Sequence, residues 1–349
     1  RTPATMAARR DGGIVAMGSL AVGLPWAPGR RLLITMTPVR PMHRDVNTRA
    51  RKITEGESRI KNDTPLPETA DESPLASRRA GLGRLTASPL DLLVIGGGIV
   101  GAGIARDAAM RGLSTALVEQ RDLASGTSSR SSRLVHGGLR YLEQRQFGLV
   151  FESARERRIL LDTASHLVWP LEFVFPIHDG DRLPLWKVAA GVRLYDLLAL
   201  FRGRHHRVLN RRRTLEAEPM LRERGLRGAA LYFDAQCDDA RLVITTARAA
   251  IQYGAMVANY MPVRRLVIRG NRVAGAEVQD LITGIRGTIE AAVVINATGP
   301  WSDTIRRMED PAAPPLLRTT KGVHIVVPRD RIGHRHAVAF LSPIDGRVM

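Results

Sequence analysis

The chain has 349 residues, 44% of them apolar, which is long enough for one large or two ordinary domains with a sizeable core and excludes a fragment too small to fold. A net charge of +18 points to anionic partners: phosphorylated substrates, nucleic acid or an acidic lipid surface. The lone cysteine, Cys237, excludes an internal disulfide or a thiolate metal cluster and suits a reducing cytosol, and no apolar run reaches the roughly 18 residues that span a bilayer.

Residues 1–88 are rich in Pro, Gly, Arg, Thr and Ser and lack apolar periodicity, so they read as a basic, disordered leader. The stretch also begins with Arg, as translation running upstream of a true start at Met6, Met17 or Met36 would. Order is expected from Leu90, where Leu90-Asp91-Leu92-Leu93-Val94-Ile95 has the continuous apolar character of a buried parallel strand.

That strand runs into Gly96-Gly97-Gly98-Ile99-Val100-Gly101, then a helix with Ile104, Ala105, Ala108 and Ala109 on one side and Gly112 at its end, then a second strand closing at Glu119. Gly96 permits a tight turn, Gly98 lets backbone approach a pyrophosphate, and Gly101 lets helix and strand pack closely. Glu119 is placed to accept hydrogen bonds from a ribose hydroxyl pair. Strand, glycines, helix, strand and acid arrive together in the order a dinucleotide site requires.

Residues 125–141 concentrate hydroxyls and glycines: Thr127, Ser128, Ser129 and Ser132 suit phosphate or a flavin ring, and Gly137 and Gly138 would let a ring lie on backbone. His136, Arg140 and Tyr141 would project toward whatever binds there. Phe147 to Leu161 reads as a scaffold helix. Leu185 to Phe201 is largely apolar and runs into Arg202, Arg204, His205, His206, Arg207 and Arg211 to Arg213. It suits either a membrane interface meeting anionic headgroups or a core helix followed by a solvated basic loop.

Met256 to Asn259, Val263 to Ile268 and Arg272 to Val278 read as strands, the last two joined as a hairpin at Gly270-Asn271. Ala291 to Ile295 is a further buried strand, ending at Asn296-Ala297-Thr298-Gly299, where small residues again let backbone approach a cofactor.

An Ala-Thr-Gly ending of this kind resembles FAD-dependent oxidoreductases. The run Thr127 to Tyr141, together with Asp238-Asp239-Ala240-Arg241-Leu242, Asn296 to Trp301 and Lys321-Gly322-Val323-His324-Ile325-Val326-Val327-Pro328, resembles FAD-dependent, quinone-linked glycerol-3-phosphate dehydrogenases. The resemblance implies an α/β fold: a Rossmann-like FAD-binding domain with a parallel sheet and a β-meander, formed by about 89–165 and 235–310. Parts of an α+β substrate domain would occupy about 166–234 and 311–349.

It implies oxidation of sn-glycerol 3-phosphate to dihydroxyacetone phosphate with FAD as hydride acceptor and a quinone as electron sink. The location implied is cytoplasmic, peripheral on the inner face of the cytoplasmic membrane. FAD would be held by Gly96, Gly98, Gly101, Glu119, Thr127, Ser128, Ser129, Ser132, Gly137, Gly138, Ala297 and Gly299, with Val263 beside the adenine. His136 is the candidate base, Arg140 the phosphate holder and Tyr141 an orienting group, each with a structural role as its alternative. Arg241, Lys321 and His324 are further candidates for the active-site wall.

No metal is expected, and no nucleic-acid-binding module is recognised. The family continues well past Met349, so the polypeptide reads as truncated and is expected to lose most turnover. The competing readings are an amino-acid or 2-hydroxy-acid oxidase of the same superfamily and an inactive remnant.

Overall fold

The computed structural model describes residues 74–136, 146–198, 205–320, 322–342 and 349. They divide into two units: the described residues up to Ser125 with Ile244–Arg318, and Gly126–Val243 with those from Thr319 onward. The chain leaves the first unit after Ser125 and re-enters it within the helix Asp239–Gln252.

In chain order the strands are β1 (Leu90–Ile95), β2 (Thr115–Val118), β3 (Leu134–Val135), β4 (Val168–His178), β5 (Arg207–Asn210) and β6 (Leu226–Cys237). β7 (Met256–Ala258), β8 (Val263–Arg269), β9 (Arg272–Gln279), β10 (Arg286–Asn296) and β11 (Ala337–Val338) follow.

The first unit is built on a six-stranded sheet in the order β7-β2-β1-β10-β9-β8. β7, β2, β1 and β10 run parallel, and β10, β9 and β8 form an antiparallel meander. β10 serves both arrangements: Arg286–Glu290 pair with β9 and Ala291–Asn296 pair with β1. Burial on both faces explains the apolar run Leu92–Ile95 of β1, since Leu93 and Val94 are fully buried and each contributes roughly 1.5–3 kcal/mol of hydrophobic stabilisation, while Asp91 near the start of the strand is exposed. One face packs on Ala105, Ala108 and Ala109 of the helix Ile99–Met110, which ends before Gly112 at φ +82°.

The other face corrects the expectation that order starts at Leu90. Pro74–Thr86 is a helix whose Leu82 and Leu85 are buried against Leu93, Val118, Ala276 and Ile289. Gly81 and Gly83 lie within it and two leucines supply its whole buried contact, so the sequence carried no helical periodicity to read.

The second unit has a sheet in the order β11-β4-β6-β3, with β5 also pairing β6. β6 is antiparallel to β4 along its length, while its other edge is shared by β3 at Ala235–Gln236 and β5 at Gly228–Leu231. Phe173 stacks on Tyr232 with ring centroids 5.2 Å apart, in a cluster with Phe175, Ile177, Val188 and Val192.

The helix Phe147–Thr163 belongs to this unit although the sequence reading grouped residues up to 165 with the dinucleotide fold. Its Arg157 forms an ion pair with Asp234 on β6 and donates to the Tyr195 hydroxyl at 2.6 Å; Tyr195 in turn donates to Asp234 at 2.6 Å.

Leu185–Leu198 is a core helix on the side of Val188, Val192 and Tyr195, with Trp186 and Leu197 exposed. Of the basic stretch that follows, Arg207–Asn210 is β5, and the helix Arg211–Ala217 is capped by the Asn210 side chain, which accepts the Arg213 N–H at 3.0 Å; Phe201, Arg202 and Arg204 lie outside the described residues. Arg207 pairs with Glu172 and Arg211 with Glu223.

The segment before β11 is held by the buried Glu218 carboxylate, which accepts from the Arg335 N–H at 2.8 Å and from Nδ1 of His334 and His336 at 2.9 and 2.7 Å. No described helix is long and apolar enough to cross a membrane.

Candidate functional site: a glycine cleft at the ends of parallel strands

β1 ends at Ile95 and the chain reverses at Gly96, whose φ of +113° is a conformation that L side chains rarely adopt. A Cβ there would lie 2.5 Å from the Ala297 carbonyl oxygen, and one on Gly101 would lie 1.9 Å from the Gly96 oxygen. A Cβ on Gly97 would meet Leu123 at 2.6 Å and the Glu119 Cβ at 2.8 Å. Backbone therefore closes Gly96 and Gly101 to any side chain, and one at Gly97 would have to displace Leu123 and Glu119.

Gly98 is extended and starts the helix Ile99–Met110; no side chain caps that start, and Ile99 and Val100 are exposed. A helix N-terminus left in this state attracts phosphate.

Ala297 forms the facing edge because β10 runs beside β1, its N–H donating to the Ile95 carbonyl at 2.8 Å. The Asn296 side chain shapes the turn that follows. Its Oδ1 accepts from the Thr298 hydroxyl at 2.7 Å, and its Nδ2 donates to the Ser302 carbonyl at 2.9 Å. Gly299 then adopts φ +54°.

Glu119, half-buried at the end of β2, accepts the Gly97 N–H at 2.7 Å through one carboxylate oxygen and the Arg121 N–H at 2.9 Å through the other. Its backbone pairs with Ala258 and with Met261, two residues before Val263, which is buried at the start of β8. Gly96, Gly98, Gly101, Glu119, Ala297, Gly299 and Val263 thus all belong to the first unit.

The family model for FAD-dependent oxidoreductases matches residues 91–349, from within β1 to the last residue. The chain belongs to the FAD-dependent oxidoreductase family.

Two curated relatives are similar over 74% of this chain. The aerobic glycerol-3-phosphate dehydrogenase of Staphylococcus haemolyticus is 41% identical over 261 residues, and glycerol-3-phosphate dehydrogenase 2 of Mycobacterium tuberculosis 47% over 262. The alignments take in 47% and 44% of those proteins, so the chain spans about half the length of the relatives it matches. The X-ray structure of the Bacillus halodurans glycerol-3-phosphate dehydrogenase complexed with FAD is similar at TM-score 0.60 and 36% identity, over 78% of this chain and 47% of that one. The L-proline dehydrogenase of P. horikoshii, at 21% identity and TM-score 0.50, shares the fold.

FAD is the cofactor of this flavoprotein, and the residues present fit it: a close-packed glycine turn between strand and helix, a helix start with no side-chain cap and a carboxylate at the end of the second strand.

The remaining expected site residues lie in the second unit. Thr127–Ser129 form one 3-10 turn, and Ser132 is exposed. His136 is exposed and follows β3 directly. Arg241 is exposed on the helix Asp239–Gln252 and stands 3.9 Å from Asp238; His324 is exposed in an irregular stretch, where a strand or helix would have packed it. Gly137, Gly138, Arg140, Tyr141 and Lys321 lie outside the described residues.

Sequence reasoning placed Asp239 in a motif but gave it no role; it accepts a hydrogen bond from Ser131 through one oxygen and from the Cys237 thiol at 2.8 Å through the other, tying the serine run to the helix start. A groove of about 600 Å³ lined by Arg207, Leu209, Arg213, Glu216 and His336 contains none of the expected site residues. Among the described residues no group of His, Cys, Asp and Glu is arranged to hold a metal ion.

Proposed function

We propose that this chain carries the flavin-binding part of a glycerol-3-phosphate dehydrogenase, which oxidises sn-glycerol 3-phosphate to dihydroxyacetone phosphate. The observation that carries the reading is the close approach of Gly96 to Ala297, found in a chain 41–47% identical to proteins named for that activity. When bound, FAD would supply the hydride acceptor for the alcohol carbon, with a quinone as the sink for the electrons.

The protein's part is to bind, align and deprotonate. His136 takes the hydroxyl proton, which requires its ring nitrogen within roughly 3 Å of the oxygen. The planar guanidinium of Arg140 holds the phosphate through paired charge-assisted bonds, each worth about 1.5–3 kcal/mol away from water. Tyr141 orients the substrate, and Arg241, Lys321 and His324 contribute to the wall. Glu119 holds the adenosine ribose, while Thr127, Ser128, Ser129, Ser132, Gly137 and Gly138 bind the phosphates and ring. The basic surface around Arg211–Arg213 meets anionic lipid on the inner face of the cytoplasmic membrane, where the quinone resides.

The test is the anaerobic flavin spectrum of the FAD-loaded chain before and after glycerol 3-phosphate. Bleaching by this substrate and not by amino acids or 2-hydroxy acids supports the reading. Bleaching by one of those instead, or by none, overturns it in favour of another oxidase or an inactive remnant. Liposome sedimentation with Arg211, Arg212 and Arg213 changed to Glu tests the membrane contact; unchanged binding rejects it.

A further inference from the structure

The helix Pro74–Thr86 precedes the glycine unit, and one of its side chains is linked to the glycine turn through a chain of hydrogen bonds. Arg78 Nε donates to both oxygens of Asp280 at 3.0 and 2.9 Å, and Nη2 donates to the first at 2.8 Å. Asp280 is fully buried and also accepts from the Ile282 N–H and the Thr283 hydroxyl. The rest of the guanidinium fork goes to Asn259: Nη1 reaches Oδ1 at 3.2 Å and Nη2 the carbonyl oxygen.

Asn259 Nδ2 then donates to Asp122 Oδ1 at 3.0 Å, and that oxygen also accepts the Leu123 N–H at 2.8 Å. Leu123 lies against Gly97, and the Ala124 N–H donates to the Gly97 carbonyl at 3.0 Å. Ala124 is buried at φ +61°, a conformation that persists in a non-glycine residue only when its surroundings impose it.

We propose that Arg78 is a positioning residue for FAD. Acting through Asn259 and Asp122, it holds the loop Glu119–Ala124 against the glycine turn in the shape that receives the adenosine side of the cofactor. The proposal rests on the reading of this cleft as a flavin site. It goes beyond that reading by assigning a role in cofactor affinity to a helix outside the matched family region.

The experiment measures FAD affinity by fluorescence titration of the apo-protein, together with hydrogen exchange of residues 119–125 without FAD, for Arg78→Lys, Asp122→Ala and the double variant. Asp122 is exposed, so its variant reads the linkage even if the Arg78 variant is poorly folded. Each single change is expected to weaken FAD binding about tenfold and to speed exchange at Leu123 and Ala124, and the double variant to lose no more than either single one. Unchanged exchange and affinity in Asp122→Ala, or losses that add in the double variant, overturn the proposal. Absence of FAD binding by the unaltered chain would defeat the flavin reading instead, and the exchange arm would still decide whether Arg78 orders the loop.

Discussion

The carbonyl oxygen of Ala297 occupies the space that a Cβ on Gly96 would need, 2.5 Å away. Gly96→Ala therefore meets two penalties, a φ of +113° and a backbone collision that the parallel pairing of β1 with β10 prevents from relaxing. The strain alone is about 1–3 kcal/mol. We expect a lowered thermal midpoint and loss of FAD binding in titration. A variant that binds FAD as the unaltered chain does would show that the turn is not the cofactor cradle.

Arg157 is nearly buried, and its ion pair with Asp234 leaves that carboxylate and the Tyr195 hydroxyl without a cation if it is removed. Burial and the neighbouring Asp234 charge push the Tyr195 hydroxyl well above its ordinary range, so it stays a neutral donor. Arg157→Ala should lower stability by about 3–5 kcal/mol, read by denaturant unfolding of the second unit. A loss below about 1 kcal/mol, the size of an exposed pair, would contradict this.

The flavin edge was legible because its residues announce their own geometry. Glycines at Gly96, Gly98 and Gly101 between an apolar strand and a helix, with Glu119 closing the next strand, admit few other structures. The meander was legible for a similar reason, since Gly270-Asn271 separates two strand-like runs and Gly270 does adopt φ +61°. The helix Pro74–Thr86 was not, because its hold on the fold is two leucines, too few to set a period, and one arginine meeting Asp280, 202 positions later. Asp239 was noticed as part of a motif but not as an anchor, since its bond to Ser131 is visible only once β3 and β6 are paired. Long-range polar pairing leaves no periodic trace.

Cys237 offers a direct chemical check. Burial, with the Asp239 carboxylate accepting its S–H and repelling a thiolate, pushes it up to about 12. The folded chain should react with iodoacetamide at mildly alkaline pH far more slowly than the denatured chain, which exposes the same thiol at its ordinary value. Equal rates would refute the buried, acid-flanked environment.

Glu218 makes the second unit sensitive to acid. Burial pushes its carboxyl up, but hydrogen bonds from His334, His336 and the backbone N–H groups of His336 and Arg335 outweigh this and hold it below its ordinary 4.5. A lowered folded value means that the stabilisation is fully present above the ordinary value and is lost as pH falls through the lowered one. Glu218→Gln should flatten the fall in thermal midpoint below about pH 4.5, with the segment around β11 exchanging amide hydrogens first on acidification. Parallel acid limbs in variant and unaltered chain would disprove the assignment.

β2 pairs with β7 although the chain between them builds all of β3 to β6. During synthesis the glycine turn cannot meet its facing edge when it emerges; it must wait for Ala297, made after most of the second unit. Until then the apolar edges of β1 and β2 lack their final neighbours, so a nascent chain stalled before β10 should be handled by chaperones and proteases as an unfinished sheet.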